Sequence, residues 1–238
     1  MLSAALPTGA AFLREHLRAP LTLVLLVAIP AFFVLVFASV LGEFATALGG
    51  DLAQRAATSI SAGWAAAFLS GTLAFFQVSS SRGADRRLAL AGLGSWRVAT
   101  ARIGAAVAMA VAVSAVAFAT LSLRSGVEHP AHAAVAILAF ALIYIGIGAA
   151  VGAAIRSPLE GSLVVMLAFS LDVFSGPRMT SEGGIAAWTP TRDAAELLVA
   201  AGGGMASPAA DWLAVGGAAA GALAVALVAF WLGSRTRG

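Results

Sequence analysis

The sequence predicts an all-α integral membrane protein: six transmembrane helices, an N-terminal interfacial helix, a short helix in the charged stretch between spans two and three, and a structured outer loop between spans five and six. Three observations carry this. Of 238 residues, 61% are hydrophobic and 11% charged, against about 25% charged in a soluble domain. The mean hydropathy is +0.96. The apolar residues fall into six runs, at residues 21–41, 60–78, 103–121, 133–155, 159–174 and 212–232, with no strand-like alternation between them.

Residues 10–19 place Phe12, Leu13 and Leu17 among Arg14, Glu15, His16 and Arg18. This amphipathic stretch suits a helix lying on the membrane surface before Pro20 turns the chain inward. The N-terminus has no basic n-region and no small-residue cleavage site follows the first apolar run, so that run reads as a retained anchor. It spans about 31 Å as a helix, and Pro30 within it predicts a kink. Span four carries Tyr144 and the pair Gly148 and Gly152, four residues apart, which suits close helix approach; span six repeats the spacing at Gly217 and Gly221. Span five, residues 159–174, is short against the roughly 20 residues a span needs. The loop that follows contains a helix-forming segment, residues 191–201, with Arg192, Asp193 and Glu196 on an otherwise apolar stretch, expected near the outer surface or dipping partly into it.

Charge sets the orientation. All 14 basic residues are Arg. On one side of the six spans lie Arg14, Arg18, Arg82, Arg86, Arg87, Arg97, Arg102, Arg156, Arg235 and Arg237; on the other lie Arg55, Arg124, Arg178 and Arg192. The inside-positive bias puts both termini in the cytoplasm. The arginines sit in loops between spans, so the membrane, rather than nucleic acid, accounts for the basic balance. Residues 79–102 hold five of the 14, with Asp85 as their single acid.

The chemistry is sparse. There is no Cys, which excludes disulfides, thiolate metal sites and cysteine nucleophiles. Nothing matches a phosphate-binding P-loop, so the chain is not expected to hydrolyse nucleotide alone. His16, His129 and His132 lie at span edges or in loops, leaving Ser70 without a deep histidine to activate it. Apart from Glu160 at the inner edge of span five, Asp172 is the one carboxylate within a span, near its outer end, where it reads as a water-accessible interfacial acid near Arg178. An ion-coupled carrier would need deeper acids.

Four local patterns, in order along the chain, resemble the membrane subunit of ABC-2 type transporters, the permeases that pair with a separate ATPase. Residues 12–20, FLREHLRAP, are similar to the elbow helix and its entry to span one. Residues 82–90, RGADRRLAL, are similar to the charged coupling helix between spans two and three, although Ala84 and Gly92 stand where Thr and Pro are common. Residues 155–160, IRSPLE, resemble the turn between spans four and five. Residues 174–177, 188–190 and 195–196 resemble the outer loop after span five.

The resemblance implies an exporter in the plasma (inner) membrane. Two six-span subunits, identical or different, would pair, each docked on a nucleotide-binding subunit that holds the ATP and magnesium. This chain would carry no cofactor. It implies an elbow of Phe12, Leu13, Arg14, Leu17 and Arg18. It also implies an ATPase contact in which Arg82, Gly83, Asp85, Arg86 and Arg87 supply the polar surface while Leu88 and Leu90 enter an apolar groove. A path lined by Ala, Gly, Val and Phe suits hydrophobic or amphipathic cargo. The alternatives are an ion-coupled secondary transporter and a non-transporting assembly or sensory component.

Overall fold

The computed structural model describes residues 20–176, 179, 189–204 and 209–234, with side chains at 24–176, 179, 189–204 and 211–233. Among these residues the chain is helical, without strands. The expected elbow, Phe12, Leu13, Arg14, Leu17 and Arg18, lies outside the described residues.

The helices are α1 (Pro20–Phe32), α2 (Ala38–Ala47), α3 (Gln54–Leu88), α4 (Ser95–Ser125), α5 (Pro130–Ala154), α6 (Pro158–Phe174), α7 (Arg192–Gly203) and α8 (Ala209–Ser234). A π-helical turn, Phe33–Phe37, joins α1 to α2 in one continuous segment. It follows Pro30, which cannot donate to the carbonyl one turn back, so the ladder is already opened there. The Arg124 guanidinium donates 2.7 Å to the Leu35 carbonyl within this turn, supplying a partner from α4. Where Pro30 predicts a kink, the helix runs on without a break to Ala47, with the wider turn three residues beyond the proline.

Among the described residues, five helical segments are long and apolar enough to cross a membrane: Val24–Ala47, Gln54–Leu93, Ser95–Ser125, Pro130–Ala154 and Asp211–Gly233. That is the architecture of a multi-pass membrane protein. The sixth expected span, α6, is helical where the sequence predicts but has 17 residues, about 25 Å, against a hydrocarbon core of about 30 Å. It starts on a capped turn: Ser157 Oγ accepts from the Glu160 backbone N–H at 3.4 Å, with Pro158 at the first helical position.

The packing centre is the pair α3 and α5, with α4, α7, α8 and the α1–α2 segment around it. Trp64, Phe75, Phe140 and Tyr144 are fully buried between these helices. Glycines let the backbones meet. A Cβ on Gly148 would run into the Gly71 carbonyl, one on Gly152 into the Phe75 carbonyl, and one on Gly63 into the Phe140 ring. Gly146 does the same against α8, at the Ala222 backbone. The Gly148 and Gly152 pair is therefore a packing seam. Gly217 and Gly221 are not: nothing in the described residues lies within 4 Å of a Cβ at either. Outward faces of α1, α6 and α8 stay apolar and exposed, as at Val27, Leu167 and Val228, the composition lipid-facing surfaces require.

At 35 residues α3 extends about 52 Å, well beyond a hydrocarbon core. The separate short helix expected after span two is absent among the described residues; residues 79–88 continue α3 without a break. Nothing in SSSRGADRRL stops a helix, and Ser80 Oγ back-bonds to the Phe76 carbonyl at 2.5 Å, satisfying its hydroxyl within the helix. The chain reverses later, through a π-helical turn, Ala89–Leu93, with Gly92 at φ 99° and Gly94 at φ 76°. Proline, with φ held near −65°, could not occupy position 92 in this turn. The Gly there has a conformational reason.

The seam makes a stability prediction. Gly148→Leu would force α3 and α5 apart and lower stability by about 1–3 kcal/mol or more. Gly217→Ala would leave it within about 0.5 kcal/mol. Thermal unfolding of the detergent-solubilised chain, followed by circular dichroism, distinguishes the two.

Candidate functional site

The charged end of α3 divides into two faces by helical periodicity. Arg82, Asp85 and Leu88, three residues apart, turn inward; Gly83, Arg86, Arg87 and Leu90 turn outward. Asp85, expected on a polar docking surface, is 4% exposed. Arg102 of α4 donates to it from two nitrogens: Nη2 to Oδ1 at 2.8 Å, and Nε to Oδ1 and Oδ2 at 3.1 and 3.3 Å. Ser81 Oγ adds a hydrogen bond to Oδ2 at 2.9 Å. Both ends of the ion pair are buried. Leu88, expected to enter a partner's groove, packs instead on Ala101 and Ala105 of α4.

Arg82 also points into this chain. It donates to the carbonyls of Gly152 and of Ile155, the latter at 3.4 Å, where α5 ends and its last carbonyls lack helical partners. Its side-chain stem reaches Gly233 of α8. One arginine thereby ties α3 to the end of α5 and passes beside the end of α8.

Arg86, Arg87 and Gly83 are exposed, and Leu90 is 70% exposed. Trp96, just past the turn, is 55% exposed beside exposed Arg97. Trp96 carries no expectation from the sequence; a bulky aromatic among arginines just after a Gly-bounded turn is the signal that marks it. The outward surface therefore offers three arginines, a leucine and a tryptophan on a base locked by the Asp85–Arg102 pair.

A second polar cluster lies in the core. Asp172, expected to meet water near Arg178, is 3% exposed. Its Oδ2 accepts from Tyr144 at 2.9 Å and from Thr191 Oγ1 at 2.7 Å. Its Oδ1 is buried with no hydrogen-bond partner among the described residues. Burial results from α7, whose N-terminus reaches down to Asp172 while the His129 backbone N–H donates to the carbonyl of Ala201 near its other end, at 3.1 Å. From His129 to Tyr144 is about 22 Å along α5, so α7 enters the bundle rather than resting on its surface. Ala194, Leu197, Leu198 and Ala201 bury its apolar face, and Gly202 meets Ser59 of α3. Asp172 sits where a helix N-terminus favours a carboxylate, and the ring of its donor Tyr144 packs edge-on to Phe169, which in turn meets Phe68.

His129 and His132 cluster with Trp212 at the start of α5, ring centroids 5.5 and 5.0 Å apart. Among the described residues no group of three metal-ligating side chains converges.

No protein-family model matches the chain, and no curated protein matches it.

Two stability predictions follow from the geometry. Asp85→Ala or Arg102→Ala would each cost about 3–5 kcal/mol by leaving a buried charge alone, whereas Asp85→Leu combined with Arg102→Met would cost less than either. A double-mutant cycle in denaturant measures this coupling. Tyr144→Phe would cost about 1–3 kcal/mol by stripping a donor from a buried carboxylate; a change near zero would mean that water supplies the missing bond.

Proposed function

We propose that the chain is the transmembrane permease subunit of an ATP-binding cassette exporter. In this reading it works as one of two paired permease subunits, identical or different, in the plasma (inner) membrane, and energy comes from a separate nucleotide-binding subunit. Both termini face the cytoplasm, following the arginine bias. The cargo is hydrophobic or amphipathic, to suit an Ala-, Gly- and Val-rich interior.

The observation that supports this best is the locked charged end of α3. A partner that closes and opens on ATP moves a membrane helix only through an element that does not bend. The buried Asp85–Arg102 pair, with Leu88 on Ala101 and Ala105, joins the end of α3 to the start of α4 as one unit. On its outward side Arg86, Arg87 and Leu90 remain free to meet an acidic and apolar docking surface, with Trp96 beside them. In this arrangement Arg86 and Arg87 carry the polar contact, Leu90 and Trp96 the apolar one, while Arg82, Asp85 and Leu88 keep the lever stiff. Gly83, exposed with open space about it, leaves room for close backbone approach.

The test is a pull-down of the nucleotide-binding partner from native membranes on the tagged chain. Arg86→Glu with Arg87→Glu is expected to abolish both association and stimulation of ATP hydrolysis. Retention of both by a normally folded variant would show the docking assignment to be wrong.

Asp172 favours a second reading, an ion-coupled carrier, because a carboxylate buried in a membrane bundle is costly and marks ion pathways. This reading predicts proton flux into liposomes holding the chain alone, reported by a trapped pH dye and lost in Asp172→Asn. The exporter reading predicts no flux without the ATPase.

A further inference from the structure

We propose that the arginine-lined cavity between the ends of α3, α5 and α8 binds one anionic phospholipid, its phosphate held by Arg86 and Arg156 beside Arg82 and one acyl chain laid along the groove between α5 and α8.

The cavity has a volume of about 760 Å³, with Arg82, Arg86 and Arg156 on one side and Ala150, Val225 and Val228 on the other. An adjoining cavity of about 450 Å³ is lined by Ser79 and the same three arginines. Among the described residues no carboxylate lines either space. Asp85, the acid nearest in sequence, is occupied by Arg102 on the inward face. Arg82 is anchored on the α5 carbonyls and so stands as a fixed positive charge. Arg86, one turn further along α3, and Arg156, in the turn after α5, are exposed and paired with no acid among the described residues. Three guanidinium groups converging without a counter-ion repel one another, and a phosphate relieves that repulsion with the forked geometry guanidinium groups favour.

The apolar wall selects a lipid over a free anion. A further cavity of about 410 Å³, lined by Ile143, Gly146 and Ala222 among others, shares Ala150 and Val225 with the arginine cavity. The two form one groove along α5, from Arg156 to Ile143. Its length is about 20 Å at the helical rise, more than half of a roughly 30 Å hydrocarbon core and enough for most of one acyl chain. Gly146, held on the Ala222 backbone, keeps α5 and α8 close at the groove's deep end. A basic pocket at the headgroup level above an apolar slot between spans is the arrangement that anionic lipids recognise. The inference does not rest on the exporter reading; it needs only that these helices cross a bilayer, and exposed Arg86, with five N–H donors at the cavity rim, can hold a phosphate oxygen along one edge while another edge meets a docked partner.

The experiment uses the purified full chain in neutral detergent micelles doped with phosphatidylglycerol or phosphatidylcholine. Lipid retained after washing is counted by native mass spectrometry, and excess inorganic phosphate is added in a parallel arm. About one phosphatidylglycerol per chain is expected, with little phosphatidylcholine and little displacement by phosphate. Arg86→Gln with Arg156→Gln is expected to weaken retention roughly 30-fold, two arginine contacts of ordinary strength at an anionic headgroup. Val225→Trp, which fills the groove without changing charge, is expected to weaken retention as well and carries the test if the arginine variant fails to fold. Arg87→Glu, outside the cavity, is expected to leave retention unchanged. Equal retention of phosphatidylcholine, full displacement by inorganic phosphate, or unaltered retention in a folded Val225→Trp variant would each overturn the proposal.

Discussion

The close approach of α3 and α5 is the constraint on which the rest of this structure depends. Inside lipid, burying apolar side chains against one another gains little, because lipid tails are as apolar as leucine. What holds two spans is dense contact, and contact is densest where backbones touch. Gly148 against Gly71, and Gly152 against Phe75, let them do so. With that pair fixed, Tyr144 reaches Asp172 and Arg82 reaches the end of α5. Both polar clusters hang on the same seam.

The polar groups divide into those that hold the bundle and those left over. Asp85 and Arg102 satisfy each other in a buried, forked pair, as do Asp172, Tyr144 and Thr191 through one carboxylate oxygen. Removing charge from water is costly, and such groups persist only where geometry compensates. The remaining arginines at this end of the bundle, Arg86, Arg87, Arg97 and Arg156, form no ion pair with an acid among the described residues. Holding and unspent charges alternate along one helix, so a single stretch of α3 both stiffens the bundle and presents a positive surface.

Of the candidate site, its position was legible in the sequence and its division was not. Five arginines and one acid in residues 79–102 mark the stretch as charged. They do not tell which of Arg86, Arg97 and Arg102 takes Asp85, because that partner lies across a reversal whose register depends on the Gly92 and Gly94 turn. The expected short helix failed for a related reason: the stretch lacks a breaker before Gly92, so the helix of span two simply continues. Asp172 was misplaced because its burial comes from α7, which arrives twenty residues later in the chain and covers it.

By itself the sequence determined that the protein is helical and rich in membrane-length apolar runs, and where most of those helices lie. These follow from a local quantity, hydropathy over a run of residues, which does not require knowing the neighbours. Only the tertiary structure decided that Gly148 and Gly152 form a seam while Gly217 and Gly221, at the same spacing, pack on nothing within the described chain, that Asp85 and Asp172 are buried, and that three arginines meet over an apolar groove. Each of these depends on which helix stands beside which, and pairing between distant segments is set by complementary surfaces rather than by the composition of either one.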